Sequence, residues 1–257
     1  MLYFKKLLNP SSNEWCVFIH GAGGSSNIWH KQVKSYAENF NILLLDLRGH
    51  GKSKNLKTSK NYSFEMIAQD VIDVVEYNKI ESAHFIGVSL GTIIIYQIYS
   101  LNPTIVKSMI FSGAITRLNI KSRVLLKLGR VLNPILPYMA LYALLARIIM
   151  PKKNHKPSRI LFINEAKKLM DNEFKRWFKL TARLTTYLNL VQHESNNRPT
   201  IYIMGSEDHL FLKPVKAIIN SNPQIKLQVV PNCGHVVNIE QAELFNSVSI
   251  QFIRNLA

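Results

Sequence analysis

The sequence predicts an α/β fold, a mostly parallel, doubly wound sheet with an inserted helical cap. Three observations predict it. Short apolar runs without polar/apolar alternation recur between helix-like stretches, as in a parallel sheet covered on both faces. That rhythm breaks between about residues 114 and 195, where the pattern turns helical. Finally, Gly87-Val88-Ser89-Leu90-Gly91 stands where an apolar run gives way to a helix-like stretch.

Taken in order, the strand-like runs are "WCVFIH" (15–20), "NILLLD" (41–46), "AHFIG" (83–87), "VKSMIFSG" (106–113), "TIYIMG" (200–205) and "KLQVVP" (226–231). Helices are expected near 27–38, 63–78, 90–101, 212–221 and 238–255. Ser63 reads as a helix start, followed by Ile67, Val71, Val74 and Val75 at helical spacing. The central insertion carries "SRVLLKLGRVL", "LPYMALYALLARIIM", "ILFINEAKKLM" and "FKRWFKLTARLTTYLNLV", punctuated by Pro134, Pro137, Pro151 and Pro157. The expected division is a first core part at 1–114, a cap at 115–195 and a second core part at 196–257.

Composition bounds the rest. With 257 residues, 47% apolar and 19% charged, the chain has a globular composition and no internal repeat. The opening "MLYFKKLLNPSS" is broken by Lys5, Lys6, Asn9 and Pro10, which fits neither a signal peptide nor a spanning helix. The uncharged run Ile135 to Ala146 is too short to cross a bilayer and contains Pro137. Cys16 and Cys233 are too few for a disulfide scaffold or a complete zinc site, so a reducing cytoplasm is expected. The eight His follow no metal-ligand spacing, and neither a metal nor a cofactor is expected.

Charge is concentrated in one place. From Thr116 to His193 there are 16 Lys+Arg against Glu165, Asp171 and Glu173, a net of +13 out of +16 for the chain. One reading is a solvated surface. The other is attraction to an anionic membrane surface or acidic substrates, with a protein at the periphery of the membrane. Nucleic acid is not expected, since no binding motif accompanies the charge.

A serine hydroxyl is a weak nucleophile until a base takes its proton, a third group orients that base, and donors await the oxyanion. Gly87 and Gly91 let the chain turn sharply at Ser89, exposing its side chain at a helix start. Later strand ends, where open α/β sheets carry ligands, offer the partners Asp208 and His235. His235 is the expected base and Asp208 its orienting acid, in the order Ser, Asp, His. Glu207 and His209 compete for these roles, but a turn points neighbouring residues in different directions. After the first core strand, His20-Gly21-Ala22-Gly23-Gly24 can present backbone amides. The N–H groups of Ala22 and Leu90 are the expected oxyanion donors. "DLRGHGKS" (46–53) reads as a tight loop supporting the site, and His20 as structural.

With "HGAGG", "DLRGHGKS", "GVSLG", "GSEDHLF" and "CGH" in order, the chain resembles the α/β-hydrolase superfamily, of the compact capped type related to bacterial esterases and lipases. The resemblance covers about 14–114 and 197–257, with 115–195 in the position of the variable cap. It implies a catalytic triad of Ser89, Asp208 and His235 and oxyanion amides at Ala22 and Leu90. Thr92 replaces the small residue often found after the elbow, with only a slight packing change expected. The N-terminal strands usual in that superfamily are abbreviated, leaving one edge strand for "MLYFKKLL".

The expected activity is cleavage of small-molecule carboxylic esters, including lipophilic acyl esters, under an apolar and basic cap. C–C bond, lactone, thioester or amide hydrolysis would use the same triad. A ligand sensor with little turnover is the alternative outside enzymes.

Overall fold

The computed structural model describes residues 1–56, 61–181, 183–191, 197–221 and 225–256. The downstream cap boundary expected at 195–196 therefore falls outside the described residues. The core begins with β1 (Phe4–Leu7), β2 (Trp15–Ile19), α1 (Val33–Ala37), β3 (Asn41–Leu45), α2 (Phe64–Tyr77), β4 (Ala83–Val88), α3 (Leu90–Leu101) and β5 (Val106–Ser112). Among the described residues, five helices then precede the next strand: α4 (Ile120–Leu132), α5 (Tyr138–Ile149), α6 (Lys156–Ala166), α7 (Asp171–Thr181) and α8 (Leu184–Val191). The sheet resumes with β6 (Thr200–Gly205), α9 (Leu212–Ser221), β7 (Lys226–Val230), α10 (Val237–Glu240) and α11 (Ala242–Arg254).

The described strands form one sheet in the order β1-β3-β2-β4-β5-β6-β7. All neighbours are parallel except β1, which pairs antiparallel with β3 through Phe4↔Leu45 to Leu7↔Ile42. Lys5 and Lys6, both exposed, keep this edge polar and discourage further pairing.

The unbroken apolar runs follow from a sheet buried on both sides. In β2, Val17 and Ile19 enter one core cluster while Cys16 and Phe18 enter the other; in β3, Leu43 and Leu45 oppose Ile42 and Leu44. Each such side chain, when fully buried, contributes about 1.5–3 kcal/mol. The first cluster is covered by α2 and α3, and α2 starts where Ser63 Oγ accepts from Met66 N at 3.1 Å.

Two expected helices are broken. The stretch 27–38 is a 3₁₀ turn (Ser26–Trp29) followed by α1, because the Gln32 amide is buried and donates to Asn238 O and Asn246 Oδ1, pinning the chain between them. The stretch 238–255 divides at Gln241, whose φ of −134° and ψ of 57° are not helical, into α10 and α11. No helix among the described residues is long and apolar enough to cross a membrane.

The strand order reverses between β2 and β4: β2 leads to β3 on one side, β4 to β5 on the other. Loops leaving the carboxyl ends of β2 and β4 thus diverge and open a crevice, the usual place for a ligand in such sheets.

Candidate active site

Ser89 occupies the one-residue corner between β4 and α3. Its φ of 54° and ψ of −120° place a non-glycine residue in a strained conformation. The corner is held by Ser89 N donating to Ser112 O at 2.9 Å. Close approach explains the flanking glycines: a Cβ at Gly91 would collide with the carbonyls of Ile19 and His20, and one at Gly87 would lie 2.6 Å from Ile95 Cδ1. Thr92 does more than the expected change of packing. Its hydroxyl, fully buried, donates to Ser89 O at 2.7 Å and ties the strained residue to the first turn of α3.

Asp208 and His235 arrive from the ends of β6 and β7. The two loops meet tightly, since a Cβ at Gly205 would strike the carbonyls of Cys233 and Gly234. Asp208 is buried; its Oδ1 accepts from Leu210 N and Phe211 N at 3.3 and 3.1 Å. Its Oδ2 lies 2.8 Å from His235 Nδ1, and His235 Nε2 lies 3.0 Å from Ser89 Oγ. With Nδ1–H donated to Asp208, Nε2 is free to accept the serine proton. The Phe211 ring packs 5.2 Å from the imidazole, centre to centre.

The competitors lie elsewhere. His209 is exposed. Glu207 faces the segment between α5 and α6, accepting from Asn154 Nδ2, Lys152 Nζ and His155 Nε2, each at 2.8 Å. Those donors hold its carboxyl at about 2, well below the ordinary value. Fully buried His155 also packs against Gly234, while Gly234 N donates to Glu240 Oε2 at 2.6 Å. The turn before α6 therefore grips the residues directly before both Asp208 and His235.

The "HGAGG" loop lies against the elbow, with Gly21 abutting Val88 O and Ser89 Cβ. Ala22 and Leu90 line the same cavity as Ser89 and His235. Among the described residues neither of their amides donates to a protein acceptor. Two neutral histidines hold this loop. His20 donates Nδ1–H to Gly21 O and accepts at Nε2 from Leu47 N at 2.9 Å. His50 donates to Arg48 O and accepts from Gly23 N at 2.9 Å. Burial lowers both imidazoles from their ordinary value, His50 furthest.

The helices between β5 and β6 brace the same loops. Tyr142 OH donates to Ala22 O at 3.1 Å, and Trp177 Nε1 donates to Arg48 O at 3.0 Å. Buried Glu173 accepts from Tyr62 OH at 2.5 Å and pairs with Arg176. Buried Glu165 accepts from Ser25 Oγ at 2.6 Å. The sequence marks Tyr142 only as an apolar residue of the cap, and gives His155, Glu165 and Glu173 no role at the site. Glu165 and Glu173 were legible as rare carboxylates in a basic segment; nothing marked His155, or Tyr142 as a hydrogen-bond donor.

Above Ser89 is a cavity of about 200 Å³ lined by residues such as Ile115, Leu126, Tyr142, Phe174, Trp177 and Phe211. Among the described residues, no Asp, Glu, Lys or Arg lines it.

A family model described as alpha/beta hydrolase fold matches residues 15–139, which includes the elbow and the "HGAGG" loop. The chain also superposes on the crystal structure of a carboxylesterase of the thaumarchaeon Nitrososphaera gargenis with a TM-score of 0.79, covering 99% of this chain and 94% of that one at 20% identity. The chain has the α/β-hydrolase fold. Two further similarities accompany this α/β-hydrolase-fold protein. It is 24% identical to the uncharacterized hydrolase YugF of Bacillus subtilis (strain 168), over 98% of this chain and 94% of that protein. It is 30% identical to 3-oxoadipate enol-lactonase 1 of Acinetobacter baylyi, over 32% of this chain and 30% of that protein.

Proposed function

We propose that this protein is a serine hydrolase acting on small-molecule esters with neutral, lipophilic acyl groups. Ser89 attacks the ester carbonyl, His235 takes its proton and passes it to the leaving alcohol, and Asp208 orients and stabilises the imidazolium. The amides of Ala22 and Leu90 receive the oxyanion. Water, activated by the same histidine, then releases the acid from the acyl-enzyme. The helical insertion at 115–195 acts as the cap that encloses the acyl group.

The observation that carries this reading is the pairing of Ser89 Oγ with His235 Nε2 at 3.0 Å, at the floor of an apolar cavity. A carboxylate drawn into that cavity would lose its hydration without gaining a countercharge, a cost of several kcal/mol. The anion in the name of 3-oxoadipate enol-lactonase 1 therefore has no matching charged group among the described residues that line the cavity. The test is turnover of p-nitrophenyl esters of increasing acyl length by wild type and by Ser89→Ala. The expected result is kcat/KM rising from acetate to medium-chain esters in wild type and no enzymatic turnover in the variant. Preference for short or anionic esters would refute the lipophilic assignment.

A further inference from the structure

One face of α4 displays what a folded protein usually hides. Ile120, Val124, Leu128 and Val131 are 81%, 60%, 39% and 56% exposed, and Ile135, just beyond the helix, is 69% exposed. At helical spacing the first four fall within a stripe about 80° wide. The opposite face is occupied: Ser122, Leu125 and Leu126 line the cavity, and Gly129 packs against Phe178. Among the described residues, none covers the outward stripe.

Cations border the stripe. Arg117, Lys121, Arg123 and Lys127 are exposed and in no ion pair among the described residues. The sequence holds no Asp or Glu between Glu81 and Glu165. We propose that the outer face of α4, together with Ile135, docks on the surface of an anionic lipid bilayer. The apolar stripe enters the boundary between headgroups and acyl chains, and the flanking cations meet lipid phosphates and carboxylates. A second copy of the chain fits less well. Self-complementary packing through a two-fold axis would place these cations against themselves, with no nearby carboxylate in sequence to relieve them. Docking would hold the cavity about one helix diameter, roughly 10 Å, from the lipid.

The test is flotation with vesicles of phosphatidylcholine alone or with phosphatidylserine at roughly 3:1, which gives a strongly anionic surface. Wild type should float with the anionic vesicles, bind neutral ones weakly, and be released by high salt. Val124→Glu/Val131→Glu should reduce anionic-vesicle binding about tenfold or more. Lys121→Gln/Lys127→Gln should weaken it without adding a charge to the apolar stripe. Failure of wild type to bind anionic vesicles, equal binding to neutral ones, or undiminished binding by both variants would overturn the proposal. So would a concentration-dependent wild-type dimer that Val124→Glu/Val131→Glu converts to monomer, which would assign the face to a second copy. Turnover of soluble p-nitrophenyl acetate, measured alongside, should be unchanged in both variants. Its absence in wild type would sink ester hydrolysis while leaving the vesicle result standing.

Discussion

His155 Nε2 lies 2.8 Å from Glu207 Oε2, so a fully buried residue just before α6 holds the side chain directly before Asp208. The same ring presses on Gly234, directly before His235. His155→Ala removes the donor and opens a void between the two loops. We expect a loss of about 2–3 kcal/mol in stability and a fall in kcat that exceeds any change in KM, because loop position and not cavity shape is disturbed. Thermal melts with steady-state kinetics check this. An altered KM with unchanged kcat would show that His155 does not position these loops.

Tyr142 acts on the other side of Ser89. Its hydroxyl donates to the carbonyl of Ala22, whose amide is assigned to the oxyanion. Tyr142→Phe keeps the ring against Gly23 and removes only that bond. Stability should fall by about 1 kcal/mol, and kcat by up to about tenfold with KM nearly constant. Kinetics on a single ester of fixed acyl length measure the split.

Acid should loosen the site through His20 and His50. Both accept a backbone N–H at Nε2, so both must stay neutral, and burial holds each below its ordinary value of 6.5. Below that pH the unfolded chain binds protons that the folded chain refuses. Their stabilisation is thus complete above 6.5 and declines as pH falls, by up to about 1.4 kcal/mol per unit for each histidine. Melting temperature should drop between neutral pH and pH about 5, and His50→Gln should reduce the drop. An equal drop in the variant would contradict the assignment for His50.

Cavity shape should set acyl preference. Leu126 lines the cavity from α4, and Leu126→Phe narrows it without introducing a polar group. The ratio of kcat/KM for octanoate to that for acetate should fall by about tenfold, since each excluded methylene is worth about 1–3 kcal/mol. Competition between the two p-nitrophenyl esters gives the ratio directly.

The sequence exposed the architecture well where it had a simple physical cause. Strands buried on both faces leave unbroken apolar runs, and the runs at 15–20, 83–87 and 200–205 correspond to β2, β4 and β6. The positions of Ser89, Asp208 and His235 were legible because each stands at a strand end in a glycine-bearing turn. Breaks at Gln32 and Gln241 were not, because tertiary hydrogen bonds and local backbone geometry override helical spacing there. The braces from Tyr142, His155 and Glu173 were hidden for a related reason. Each joins the helical segment between β5 and β6 to a loop far away in sequence, and no local pattern records such a contact.

The claim that Ser89 is an activated nucleophile is tested most directly by labelling with a fluorophosphonate probe. Wild type should label rapidly and lose esterase activity in proportion, while folded Ser89→Ala should remain unlabelled. Equal labelling of the variant, or none of folded wild type, would contradict the account.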